Sequence, residues 1–256
     1  MLHRAQATTD RPQSWRDYVV PQNWDEFTAD DHAVWDLLFA RQVELLGSRV
    51  VAPFLDGIDL LRLSHPGVPD LAELNAILEP RTGWRTVAVT GLVPDEIFFA
   101  MLSERVFPVG NFIRKREQLD YLEEPDCFHD LFGHIPMLAH HDYAEMIEHV
   151  GRLGAAAIAA GHGELVARIY WHSVEFGLAL EGDQLKILGA GLASSFGEAH
   201  FSLESETVER LPFSVPRAVR TPYRNDVFQP LYLVSRSVAA TVAEILATEP
   251  GELLAI

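Results

Sequence analysis

The stretch Pro125-Asp126-Cys127-Phe128-His129-Asp130-Leu131-Phe132-Gly133-His134-Ile135-Pro136 decides how the chain is read. Two histidines stand five residues apart among large apolar side chains. Side chains three or four apart share one face of an α-helix; side chains five apart do not. The two imidazoles converge only if the helix is distorted or ending, and Gly133 and Pro136 supply a reason for distortion. Taken alone, the pair also reads as two ordinary histidines of a core helix.

Downstream lies Ile169-Tyr170-Trp171-His172-Ser173-Val174-Glu175-Phe176-Gly177-Leu178. Glu175 stands between Val174 and Phe176 in a segment that is apolar around much of its circumference. A buried carboxylate needs a cation, a set of hydrogen bonds or a metal. Arg168, two turns back on the same face, is one candidate partner. Trp171, one turn before Glu175, points the same way and lines the same cavity. Two histidines and a carboxylate without a thiolate suit a non-haem iron(II) site with open positions. The same set suits catalytic zinc with a bound water, and ligand chemistry does not choose between them. A zinc hydrolase therefore stands beside an iron enzyme at this point. His140, His141 and His149 sit among Asp142, Glu145 and Glu148 and read as a solvated helix face. His172, three residues before Glu175, is a rival ligand.

Outward from these segments the chain reads as mainly α with a few short strands, an α+β single domain. Thr28 and Asp31 have capping-box spacing, and Trp35, Leu38, Phe39, Val43 and Leu46 follow at helical intervals. Pro69 and Asp70 open a short helix that ends before Pro80. Trp84 to Val89 is a strand, Pro94 starts a helix through Leu102, and Val106 to Ile113 is extended. Helices follow over 142–160 and 164–180, then a turn at Gly182-Asp183 and a strand over 184–188. Gly189 to Ser195 leads into another helical piece. Leu231 to Val234 is a strand before a last helix to Thr248. No βαβ alternation is evident. Residues 1–20 are expected to be disordered or extended, and residues 21–256 to form one catalytic domain.

The formal net charge of −17 argues against nucleic acid or an anionic membrane as partner. The single cysteine, Cys127, allows no intramolecular disulfide and fits a reducing compartment, the cytoplasm; it reads as a packing residue. No apolar run approaches the roughly 18–20 residues that span a bilayer. Gly189-Ala190-Gly191 lacks the rest of a dinucleotide fingerprint, and no G-x-S-x-G elbow is present.

Three motifs resemble the pterin-dependent aromatic amino acid hydroxylases, most closely the short bacterial phenylalanine 4-hydroxylases. PDCFHDLFGHIP is similar to the family's iron-histidine segment, YWHSVEFGL to its iron-glutamate segment, and GAGLASSFGE (Gly189 to Glu198) to a third signature. The resemblance runs from about Pro21 to Gln229. It implies that His129, His134 and Glu175 bind iron(II). It implies a tetrahydropterin cosubstrate, tetrahydrobiopterin or a relative, near Gly91, Leu92 and Phe98, with Ala167 and Tyr170 on the far wall. It places substrate contacts at Arg114, Pro125, Trp171 and Ser194, with Arg114 holding the amino acid carboxylate and O₂ as second cosubstrate. The implied activity is a phenylalanine 4-monooxygenase; tryptophan or meta-hydroxylation of phenylalanine is the rival within the family. Pro108, Leu122 and His172 depart from the better-known animal members. A counterpart of the animal regulatory domain or tetramerisation helix is not recognised, so a constitutively active monomer is expected.

Overall fold

The computed structural model describes residues 14–120, 124–224 and 227–253. Leu122, one of the departures noted above, lies outside them. Within the expected lead-in, Trp15–Tyr18 form a 3-10 turn capped by Ser14, and Trp15 is buried. Trp15 fills a small apolar cluster with Val89, Ile97, Met101 and Val106, so the end of the segment expected to be disordered or extended packs on the domain.

Helix α1 (Ala29–Leu46) starts as its capping box predicts: Thr28 accepts from the Asp31 amide and the Asp31 carboxylate accepts from the Thr28 amide. Its buried stripe includes Trp35, Leu38 and Leu46, and Trp35 meets Phe128 edge-on at 5.3 Å. Phe128 in turn stacks on Phe132 at 4.9 Å. The apolar residues flanking the histidines are thus the centre of the core. Following α2 (Ala52–Leu60), helix α3 (Leu71–Thr82) runs through Pro80 instead of ending before it. Asp70 caps its start, and Leu71, Leu74 and Leu78 bury its inner stripe. That burial outweighs one backbone hydrogen bond lost near the C-terminal end.

Strand β1 (Arg85–Val89), helix α4 (Asp95–Ser103) and strand β2 (Val106–Gly110) form a βαβ unit with parallel strands, a correction to the absence of such a unit read from sequence. The strands have five residues each, too short to stand out by hydrophobic pattern. Helix α4 lies against the long α6 (His141–Ala159) at unusually short range. A Cβ at Gly151 would meet the Ser103 amide nitrogen at 2.3 Å, and one at Gly154 would meet the Phe99 ring at the same distance. Only glycine allows that approach.

The helix expected over 164–180 stops early. Helix α7 is Gly163–Tyr170, a π-helical turn follows over Trp171–Glu175, and Leu178–Glu181 is strand β3. Strand β3 turns back as β4 (Gln184–Ile187), then the chain enters α8 (Ala190–Ser194) and α9 (Phe196–Glu204). Both Leu188 and Gly189 donate to the Gly177 carbonyl, so the hairpin returns α8 to the foot of the Glu175 turn. Strands β5 (Glu209–Pro212) and β6 (Leu231–Ser235) complete a mixed sheet of order β4-β3-β6-β5. Among the described residues no helix is long and apolar enough to cross a membrane.

Candidate metal centre and its cavity

His129–His134 form a π-helical turn that runs into α5 (Ile135–Leu138). A π turn joins each N–H to the carbonyl five residues back, bringing residues five apart round to nearly one side. The two Nε2 atoms accordingly lie 3.2 Å apart with the rings at 83°. This is the distortion that the spacing requires. Gly133 lets the turn settle on α8, since a Cβ there would lie 2.8 Å from the Ala190 carbonyl oxygen.

The second π turn brings Glu175 to the same point. Its Oε1 is 3.1 Å from His134 Nε2, and its Oε2 is 3.8 Å from His129 Nε2. The Arg168–Glu175 pairing considered from sequence does not form; Arg168 donates to the Val219 carbonyl at 2.7 Å instead. The extra residue in the π turn rotates Glu175 off the stripe counted at α-helical spacing.

These three residues are the one His/Cys/Asp/Glu group among the described residues whose ligand atoms, all within 4.8 Å of one another, could hold a metal ion. Ser194 Oγ lies 2.8 Å from His129 Nδ1 and gives its own hydrogen to the Ala190 carbonyl at 2.9 Å. The oxygen therefore accepts from Nδ1–H, which leaves the His129 Nε2 lone pair facing the other two ligand atoms. Burial drives the His129 imidazole down to about 4, so it stays neutral near pH 7. Burial would raise the Glu175 carboxyl, but the facing histidines and the Gly191 amide hold it below its ordinary value. Three converging lone-pair atoms in a buried place call for a shared cation, and the donor set fits iron(II).

A cavity of about 640 Å³ opens over this point. Gly91, Leu92, Phe98, Ala167 and Tyr170 line it, as do Arg114, Pro125, Trp171 and Ser194, so the residues that the resemblance assigned to pterin and to substrate share one cavity. Phe98 meets Tyr170 edge-on at 5.3 Å, and Phe107 lies against His134 at 4.8 Å. Pro108 also lines the cavity. Arg114 is buried and forks onto Asp126, Nε to Oδ2 at 2.8 Å and Nη2 to Oδ1 at 2.9 Å. Its Nη1 is only loosely engaged, 3.4 Å from the Leu119 carbonyl.

Sequence reasoning passed over Asp126, Asp130 and Tyr223. Asp130 accepts from the Gly110 amide at 2.8 Å, and burial pushes its carboxyl up to about 7. Asp126 could have been found by its position three residues before His129, whose amide it caps at 3.1 Å. Tyr223 stands in a loop and left no pattern to read. The rival histidines fall away: His172 Nε2 donates to the Thr221 carbonyl at 3.0 Å. His140 and His149 are not on a solvated face; each is half-buried and bonded to a carbonyl, of Pro53 and Thr248 respectively. His141 is exposed beside Glu145, as read. Cys127 is buried and free.

Residues 5–247 match the family model described as biopterin-dependent aromatic amino acid hydroxylase. The phenylalanine-4-hydroxylase of Caulobacter vibrioides is 42% identical over 94% of this chain and 81% of its own length. That of Chromobacterium violaceum is 44% identical over 85% of this chain and 73% of its own. A crystal structure of the Chromobacterium violaceum enzyme with iron(III) and oxidised cofactor 7,8-dihydrobiopterin superposes with a TM-score of 0.86 at 42% identity, covering 90% of this chain and 84% of that one.

Proposed function

The chain belongs to the biopterin-dependent aromatic amino acid hydroxylases, and on that premise we propose that it is a phenylalanine 4-monooxygenase, turning L-phenylalanine into L-tyrosine with O₂ and a tetrahydropterin. The observation that carries the reading is the convergence of His129, His134 and Glu175 beneath an aromatic-walled cavity. These three residues hold iron(II). The bound metal and the tetrahydropterin supply the electrons and the site for O₂ activation.

The chain's own part is placement. Ser194 fixes the ring of His129, and the π turns aim all three ligands at one point. Ligands on one side leave the cavity side open. Arg114, pre-oriented by Asp126, offers its free N–H groups to the carboxylate of the amino acid. Pro125 and Trp171 place the substrate's ring, and a flat pterin lies near Gly91, Leu92 and Phe98 against Ala167 and Tyr170. The apolar lining keeps water from the reacting atoms, which limits waste of the oxidant.

We further read residues 21–256 as one catalytic domain that works as a monomer in the cytoplasm. Sedimentation at the monomer mass at every concentration is the expected result, and a stable tetramer would contradict it. The deciding experiment reloads the apo protein with iron(II) and supplies phenylalanine, tetrahydropterin and O₂. Tyrosine that appears only with both iron and pterin supports the function. Meta-tyrosine, or 5-hydroxytryptophan from tryptophan, would move the substrate assignment. Metal-bound protein that oxidises no aromatic amino acid would overturn it.

A further inference from the structure

Trp171 lines the cavity, yet rings of the chain itself stack on its indole. Phe176 lies at 4.7 Å and 30°, and Tyr223 at 4.2 Å and 16°. Two rings that close and that parallel would overlap each other on a single face, so they occupy opposite faces. While Tyr223 is in place, an incoming aromatic side chain reaches Trp171 only along the indole edge.

Tyr223 belongs to the loop after α10 (Val215–Ala218), lines the cavity and is 37% exposed as a residue. Nothing in the regular secondary structure fixes it there. Side chains tie the loop down instead: Gln229 Nε2 donates to the Arg224 carbonyl at 2.6 Å while its Oε1 accepts from Trp171 Nε1 at 3.2 Å, and two side chains one turn apart on the Trp171 helix hold the residues before Tyr223. Arg168 Nη1 donates to the Val219 carbonyl at 2.7 Å and His172 Nε2 to the Thr221 carbonyl at 3.0 Å. A carbonyl only accepts, so His172 carries its hydrogen on Nε2. The imidazole is 2% exposed and meets the Tyr223 ring edge-on at 6.4 Å. A buried hydrogen bond two residues from the stacked phenol is placed to set the loop's position.

We propose that His172 is a positioning residue for ring selection: by holding Thr221 it keeps Tyr223 over Trp171, and the stacked phenol restricts the pocket to a single aromatic ring. Loss of the strut frees one indole face and admits a bicyclic side chain. The inference rests on the reading of the site as an aromatic amino acid hydroxylase and names what sets its substrate class.

The test compares iron-loaded wild type with His172→Leu, His172→Gln and Tyr223→Ala. Turnover of phenylalanine and tryptophan is measured with tetrahydropterin, and binding of both amino acids by equilibrium dialysis without O₂. His172→Leu and Tyr223→Ala are expected to raise the tryptophan-to-phenylalanine ratio of kcat/KM about tenfold, through KM for the amino acid. KM for the pterin stays unchanged, and the dialysis ratio moves the same way. His172→Gln, whose amide N–H can reach Thr221, stays close to wild type. A wild-type ratio in His172→Leu overturns the proposal, as does an equal rise in both KM values, which marks general loosening. Tyr223→Ala, on a surface loop, decides the matter if His172→Leu does not fold: an unchanged ratio there also overturns it. Wild type that makes no tyrosine would defeat the functional reading instead, and the dialysis ratios would then decide this inference alone.

Discussion

Asp126 binds Arg114 and the backbone of His129 at once: its Oδ1 takes both the Arg114 Nη2 and the His129 amide, at 2.9 and 3.1 Å. One fully buried carboxylate thereby couples Arg114, the proposed amino acid anchor, to His129 of the candidate metal centre. Arg114 holds this carboxyl below its ordinary value against the opposing effect of burial. Arg114→Ala strands a buried charge and is expected to cost about 3–5 kcal/mol of stability in urea titrations. Arg114→Lys keeps the charge but loses the fork. Its KM for phenylalanine should rise about tenfold or more, with KM for pterin unmoved. Unchanged amino acid affinity in the lysine variant would remove Arg114 from the substrate site.

Glu175→Gln and His129→Ala each delete a charge or a lone pair from the ligand set. Both are expected to lose tight iron binding and turnover together, read as iron retained after dialysis against a chelator. Wild-type coupled hydroxylation in either variant would mean that the metal sits elsewhere.

Ser194→Ala leaves all three ligands in place but frees the tautomer and tilt of His129. The expected effect is a 10- to 100-fold fall in iron affinity, the usual consequence of losing a partner of a metal-bound histidine. Competition with a calibrated chelator gives the number. Unaltered affinity would show that packing on α8 alone orients the ring.

The capping box of α1 gives a pH signature. Asp31 is held below its ordinary value, burial being outweighed by Lys115, 2.8 Å away, and by Thr28. A depressed folded-state value means that the carboxylate form favours the folded chain. Its contribution is complete above the ordinary aspartate pKa of about 3.9 and is lost as pH falls through the lower folded value. Asp31→Asn should therefore be less stable by roughly 0.5–1.5 kcal/mol at pH 6, the typical net worth of one hydrogen bond. The gap between variant and wild type should close on acidification below about pH 4. A gap that persists at low pH would assign the effect to packing.

Much of this was legible in the sequence. The cap at Thr28, the extents of α4 and α6 and the need for a distorted helix at His129 follow from spacing and turn residues. What was not legible has a common cause: positions counted at α-helical spacing fail where the helix is not α. That is why Arg168 appeared to face Glu175, and why the helix holding Glu175 seemed to run on to Leu180. The βαβ unit was hidden by the brevity of its strands. Asp126 was hidden by composition, being one of 37 acidic residues whose abundance masks any single pair.

Both ligand-bearing segments contain a π turn, over 129–134 and 171–175. Each turn is an α-helix with one residue too many, and nothing else in the helix absorbs the surplus. Deleting any single residue within either turn would let the helix relax to ordinary pitch and swing a ligand by about 100°. Insertions and deletions are normally tolerated in loops and feared in cores because of packing. Here the constraint is arithmetic: the convergence of His129, His134 and Glu175 depends on the number of residues in these two segments.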